Sequence, residues 1–258
     1  MKKPVYILLF MLLLFRCEEV SDQGLDIRNE SLLVVDGGIT NEFTNQEIKL
    51  SLTFEDVGQQ PPPVTDAFVV VNDGEINHFF THDEDRPGTY QNNTLTALFG
   101  KAYVLFIEYE GKEYFAVAAS EVGTSLPPLL VEETEDGTLE YIHSETVPSM
   151  TLVDATWEED GEVISKEAFF YTLDVVDITQ TFAPEKDPFT FPKGSTLFRK
   201  KYSLTPSHQN FLRSFLSEVD WRGGVFDAAP GNVLTNLSEG AVGYFFVSMV
   251  DSDSTSVE

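Results

Sequence analysis

One cysteine and four histidines, His78, His82, His143 and His208, stand among 43 Asp and Glu residues in this 258-residue chain. These side chains could hold a metal, attack a substrate or move a proton. His78 and His82 lie four apart in a strand-like stretch, hence on one face and about 13 Å apart at ~3.3 Å per residue. One ion does not bridge that gap on a straight strand. "THDEDRPG" gathers His82, Asp83, Glu84 and Asp85. Calcium takes about 6–8 converging oxygens, more than one turn supplies, so the stretch reads as a solvated hairpin tip. The acidic turns "WEEDGE" and "EETEDG" read the same way. Two of the many acids could converge as a glycosidase pair, but no spacing marks which. HExxH, G-x-S-x-G and phosphate-binding glycine loops are absent from the sequence. "GGVFDAAPGN" has the glycines of an anion nest, yet Asp227 opposes an anion there. A loop satisfied by its own Asn side chains is the simpler reading. No catalytic residue, metal site or dissociable cofactor is expected.

Cys17 has a different chemistry. It closes the apolar run "YILLFMLLLF" and Arg16, behind Lys2 and Lys3. A spanning helix needs roughly 20 apolar residues, so this shorter run reads as the core of a secretory signal. "LFRC" offers no small-residue cleavage site of the ordinary kind. A lone cysteine also has no intramolecular disulfide partner. The stretch resembles a loose bacterial lipobox, with Arg16 where small residues are usual. Cleavage before Cys17 and acylation of its thiol and amino group are expected. Two or three acyl chains anchor stably where one does not. The covalent lipid on Cys17 is the only non-protein group expected. "CEEVSD" resembles the acidic signal that sends Bacteroidota lipoproteins to the outer face of the outer membrane, with Glu18 and Glu19 as its acids.

The formal charge of −27 excludes nucleic acid as a natural partner, because that affinity comes from phosphate neutralisation. An anionic bilayer surface would repel the chain as well. Arg199, Lys200 and Lys201 form the one dense basic run and read as a solvated or edge-guarding strand face.

The elements that must position these residues have period two. "QEIKLSLTFE" sets Ile48, Leu50, Leu52 and Phe54 on one face and Lys49, Ser51, Thr53 and Glu55 on the other, as in a half-buried strand. Hairpins are expected about Asn72-Asp73-Gly74, Glu110-Gly111-Lys112 and Asp160-Gly161. Short strands with regular turns indicate a β-sandwich. Pro127 and Pro128 interrupt ladder pairing and mark a boundary. The expected order is a signal peptide at 1–16, a lipidated acidic tether at 17–30 and a sandwich at 31–122. A linker at 123–137 and a second antiparallel β domain at 138–258 follow. That domain carries one helix near 206–219, with Thr205 as N-cap, Pro206 at the first position and a stripe of Phe211, Leu212, Phe215, Leu216 and Val219. "GAVGYFFVSMV" is expected to close it.

The stretches "LLVVDGGITNE", "GTYQ…GKAYVLFIEYEGKEYFA" and "GGVFDAAPGNVLTN…GAVGYFFVS" resemble a Bacteroidota outer-membrane lipoprotein family known only as a domain of unknown function. Phe226, Asp227, Pro230, Gly231, Asn232, Asn236, Gly243, Tyr244 and Phe245 stand where the family pattern has their like. Ala228 and Ala229 fall where prolines are common. The first half is also similar to the transthyretin-like or immunoglobulin-like domains found on outer-membrane transporters. Members are often encoded beside TonB-dependent transporters. The resemblance therefore implies a non-catalytic, surface-exposed outer-membrane lipoprotein that serves as accessory, ligand-capturing or bracing partner of such a transporter or an assembly complex. It transfers no catalytic residue. A surface hydrolase acting on glycans or peptides is the alternative from another class, and a structural coat protein a third. The motif residues read as structural.

Overall fold

The computed structural model describes residues 31–53, 60–173, 187–219 and 233–258. The strands are β1 (Leu33–Thr40), β2 (Gln46–Leu52), β3 (Phe68–Asn72), β4 (Asn77–His82), β5 (Thr89–Asn92), β6 (Ala102–Tyr109) and β7 (Lys112–Ala119), then β8 (Val131–Glu133), β9 (Leu139–Tyr141), β10 (Ser149–Glu159), β11 (Glu162–Thr172), β12 (Thr190–Phe191) and β13 (Thr196–Ser203). Helix α1 (Pro206–Val219) precedes β14 (Ala241–Ser248) and β15 (Val250–Ser256). The fold is mainly β, as expected.

Local chemistry explains the hairpins. Glu110 (φ 49°) and Gly111 (φ 73°) join β6 to β7, and Asp160 (φ 53°) and Gly161 (φ 81°) join β10 to β11. Two successive positive φ values match the twist of the flanking strands. At the β3–β4 turn the Asp73 carboxylate accepts the N–H groups of Glu75 and Ile76, each at 2.9 Å. Those bonds hold its pKa far below the usual carboxylate range.

The first sheet runs β14-β1-β2-β5-β4-β3-β6-β7. Its strands fold over one core that includes Val35, Ile48, Leu50, Val71, Leu105 and Phe245. The alternation expected of β2 holds at Ile48 and Leu50, which are buried, and at Lys49, which is exposed. Phe54 lies outside the described residues.

The last strand of this sheet corrects the expected domain order. β14 was expected to close the second domain. It pairs instead with β1, in parallel, from Leu33↔Ala241 to Thr40↔Ser248. One side of β14 feeds the sandwich core through Ala241, Phe245 and Val247. The other carries Tyr244 beneath α1. A strand covered on both faces reads as a nearly continuous apolar run, and that run names no neighbour. Leu32–Glu258 accordingly cluster as one unit.

The second sheet runs β11-β10-β13-β15 and a small third one β12-β9-β8. β8 falls inside the expected linker, where Val131 pairs with Tyr141. β15, "VDSDSTS", is polar almost throughout and gave no hydrophobic signal. Its backbone pairs with β13 from Thr196↔Ser256 to Tyr202↔Val250.

Helix α1 starts as expected: the Thr205 hydroxyl accepts the His208 N–H at 3.2 Å. Leu212 and Leu216 are buried, while Phe215 is 41% exposed. His208 and Gln209, which the apolar stripe leaves out, are buried too.

Candidate functional site

Four of the expected motif residues, Asn236, Gly243, Tyr244 and Phe245, meet around β14. At Gly243 the backbone has φ +97°, and an added Cβ would stand 2.0 Å from the Val35 carbonyl oxygen. Only glycine serves there. Across the same pair of strands, a Cβ on Gly38 would stand 2.3 Å from the Phe246 oxygen. The two glycines let β1 and β14 approach closely.

Tyr244 and Phe246 receive the helix. The His208 ring stacks on Tyr244 at 4.8 Å between centroids and on Phe246 at 5.1 Å. Phe211 stacks on Tyr244 at 4.7 Å, and the Tyr244 hydroxyl donates to Ser207 Oγ at 2.9 Å. Burial lowers the His208 pKa to about 4 and raises that of Tyr244. A neutral imidazole between aromatic rings is a packing element, not a proton carrier at neutral pH.

Asn236 works at the outer edge of β14. Its Oδ1 accepts the Phe245 N–H at 3.1 Å, and its Nδ2 donates to the Phe245 carbonyl at 2.7 Å and to the Val117 carbonyl at 3.4 Å. Leu237 bridges to Ala116. Ser238 donates its N–H to the Phe115 carbonyl at 2.8 Å and accepts the Phe115 N–H on Oγ at 3.0 Å. Residues 236–238 therefore close the seam between β14 and β7, the two ends of the sheet. Cys17, Glu18, Glu19, Phe226, Asp227, Pro230, Gly231 and Asn232 lie outside the described residues.

The basic run departs from expectation. β13 is an inner strand, between β10 and β15, and Arg199 and Lys201 are buried. Arg199 binds the Asp253 carboxylate through Nε at 2.9 Å and donates to the Pro127 carbonyl at 3.1 Å. Lys201 Nζ meets Glu145 Oε2 at 2.6 Å and the Ser125 carbonyl at 3.2 Å. Lys200, on the opposite face, pairs with Glu42 at 2.6 Å. Arg199 and Lys201 thus fasten the segment around Pro127 onto β13, and Lys200 is held by Glu42, rather than the run facing solvent.

The remaining titratable groups stay apart. His78 Nε2 is 3.3 Å from Asp73 Oδ2, His82 Nε2 accepts the Gly88 N–H at 3.2 Å, and His143 Nε2 lies 2.8 Å from Thr172 Oγ1. At the hairpin tip, Arg86 binds Asp83 and Glu47, each at 2.7 Å, and the Arg86 bond lowers the Asp83 pKa. In "EETEDG" the hydroxyls of Thr134 and Thr138 bring Asp136 to about 2. Among the described residues no group of three or more His, Cys, Asp or Glu gathers as a metal site. A cleft of about 530 Å³ is lined by Trp157, Glu158, Glu159, Pro192, Lys193 and Gly194. Glu158 and Glu159 are consecutive in a strand, so they point to opposite faces and form no carboxylate pair.

One surface escaped the sequence reading. The outward side of β4-β3-β6-β7 carries Phe79, Phe68, Phe106 and Phe115, with successive contacts of 5.9, 6.3 and 5.2 Å between centroids. Its signal was present: "AYVLF" and "HFF" place apolar residues where a solvated face would put polar ones.

The β14 seam lies within a match of the family model "Domain of unknown function (DUF4249)" to residues 18–254. The chain belongs to the DUF4249 family. The DUF4249 match starts just after Cys17, takes in the outward phenylalanines, and runs through β14 into β15. No curated protein matches the chain. Among solved structures, the chicken CNTN1 FN1-FN3 domains align over 67% of this chain and 60% of theirs, at 9% identity and a TM-score of 0.25. That likeness carries no argument, and the sandwich rests on its own strand pairing.

Proposed function

We propose that this chain is a non-catalytic lipoprotein held on the outer membrane through acylated Cys17, facing the cell exterior. It acts there as accessory, ligand-capturing or bracing partner of a TonB-dependent transporter or outer-membrane assembly complex. The observation that carries this reading is the placement of the single cysteine: an apolar run too short to span a bilayer ends at Cys17, and two glutamates follow. The exposed phenylalanine face supports a role in contact rather than chemistry.

The test is acylation and address. In cells of the source organism, labelled fatty acid should enter the wild type and not Cys17→Ala, and inhibition of lipoprotein signal peptidase should leave a heavier precursor. Protease added to intact cells should cut the wild type and spare Glu18→Ala/Glu19→Ala. Normal processing and membrane retention of Cys17→Ala would overturn the anchor, and equal cutting of both proteins the export signal. Turnover of a glycan or peptide library by the purified chain, lost on replacing a carboxylate, would favour a hydrolase.

A further inference from the structure

Strands β4, β3, β6 and β7 turn Val71, Leu105, Ile107 and Ala116 into the core. Their other face is apolar as well. Phe68 is 48% exposed, Phe79 57%, Phe115 43% and Val117 62%. These residues lie on β4, β3 and β7, and Phe106 on the intervening β6 touches both Phe68 and Phe115, so the patch is continuous and not a scatter of single side chains. Large exposed apolar patches of this kind mark contact sites.

Ring geometry and charge narrow what fits. Neighbouring rings are inclined by 55°, 72° and 55°. Rings tilted in this way, with Phe68 and Phe106 edge to face, present ridges and hollows, as in a protein core, and not the parallel planes on which flat rings stack. At one end of the same face Glu108 lies directly opposite Glu113. Like charges so placed repel, and among the described residues no ion pair relieves either one. A cation from outside would. An anionic bilayer brings none, and a second copy brings the same glutamates and the same charge of −27. We propose that this face docks a partner protein whose apolar side chains interdigitate with Phe68, Phe79, Phe115 and Val117, and whose Lys or Arg meets Glu108 and Glu113. The inference rests on the accessory role proposed above and names the surface that performs it.

The test uses the full-length chain in its own cells, with a photoreactive phenylalanine analogue at position 115 and, as control, at Val163 on β11, which is 79% exposed. The expected result is one cross-linked protein from position 115. Mass spectrometry should map the link to an apolar segment beside Lys or Arg. Its yield should fall about tenfold or more with Glu108→Lys/Glu113→Lys, since the partner's cations would then meet like charges. Val117→Asp should abolish it, with melting temperatures unchanged in both variants. Links only to lipid, to a second copy, or to a segment without basic residues would overturn the proposal, as would a yield indifferent to charge reversal. A transporter linked from Val163 alone would overturn this surface and leave the accessory role standing. No protein linked from either position would count against both.

Discussion

The side-chain amide of Asn236 pairs with the backbone of Phe245 as a neighbouring strand would, accepting its N–H at 3.1 Å and donating to its carbonyl at 2.7 Å. The outer edge of β14 is thereby occupied at one residue by a side chain. Reach toward Val117 ties the same amide to β7. An open sheet edge invites pairing with another chain, and this one is sealed from within.

Asn236→Ala should leave both Phe245 backbone groups without their partner, at a cost of about 1–3 kcal/mol. A lower melting temperature with unchanged binding per folded molecule is the expected outcome. Asn236→Asp, which keeps the acceptor and loses the donor, should fall between. Wild-type melting of Asn236→Ala would contradict the edge-sealing role.

Gly243→Ala should be more damaging. The new Cβ would collide with the Val35 carbonyl in a left-handed backbone, so β1 and β14 must separate. A loss on the order of 3 kcal/mol or more is expected, with amide exchange rising along β1. Exchange unchanged at Val34 to Asp36 would exclude this account.

Lys201 and Glu145 are a buried ion pair, 4% and 3% exposed in their side chains. Removing one partner strands the other charge, which costs about 3–5 kcal/mol. Lys201→Met should therefore lower the denaturation midpoint sharply. Glu145 Oε1 has no hydrogen-bond partner among the described residues, so Lys201→Met/Glu145→Leu should recover much of the loss. A double variant as unstable as the two single losses summed would show that the pair's charges are not coupled.

Acid should loosen the helix. His208 is neutral in the folded chain down to about 4, against about 6.5 when unfolded. Between those values only the unfolded chain takes up the proton, so stability falls as pH drops through that window. The loss amounts to about 3 kcal/mol and is complete below the lower value. His208→Phe should flatten that part of the pH profile. A profile identical to wild type would remove His208 as its source.

Features encoded within a few residues were legible in the sequence. Glu110-Gly111 and Asp160-Gly161 specify their turns by backbone preference alone, and Thr205-Pro206 specifies a helix start. Partners far along the chain were not. Nothing near "GAVGYFFVS" says that it lies beside Leu33–Thr40, and nothing in "FRKKY" says that Glu145 and Asp253 await its charges. β15 failed for a different reason: its pairing is through backbone, and its side chains carry no periodic apolar signal. Of the site, Gly243 and Asn236 were visible as residue types but their duties were not, because a close approach and an edge seal exist only once both strands are in place.

Pairing β1 with β14 also sets a schedule for biogenesis. A chain emerging from a ribosome or a translocation pore delivers β1 early and β14 nearly last. The sandwich has most of its strands long before it has the one that closes it, and loop closure over so long a stretch is slow. Until β14 has emerged, β1 offers an open edge to chaperones or to the wrong chain. The fold is thus completed only after nearly the whole polypeptide has emerged.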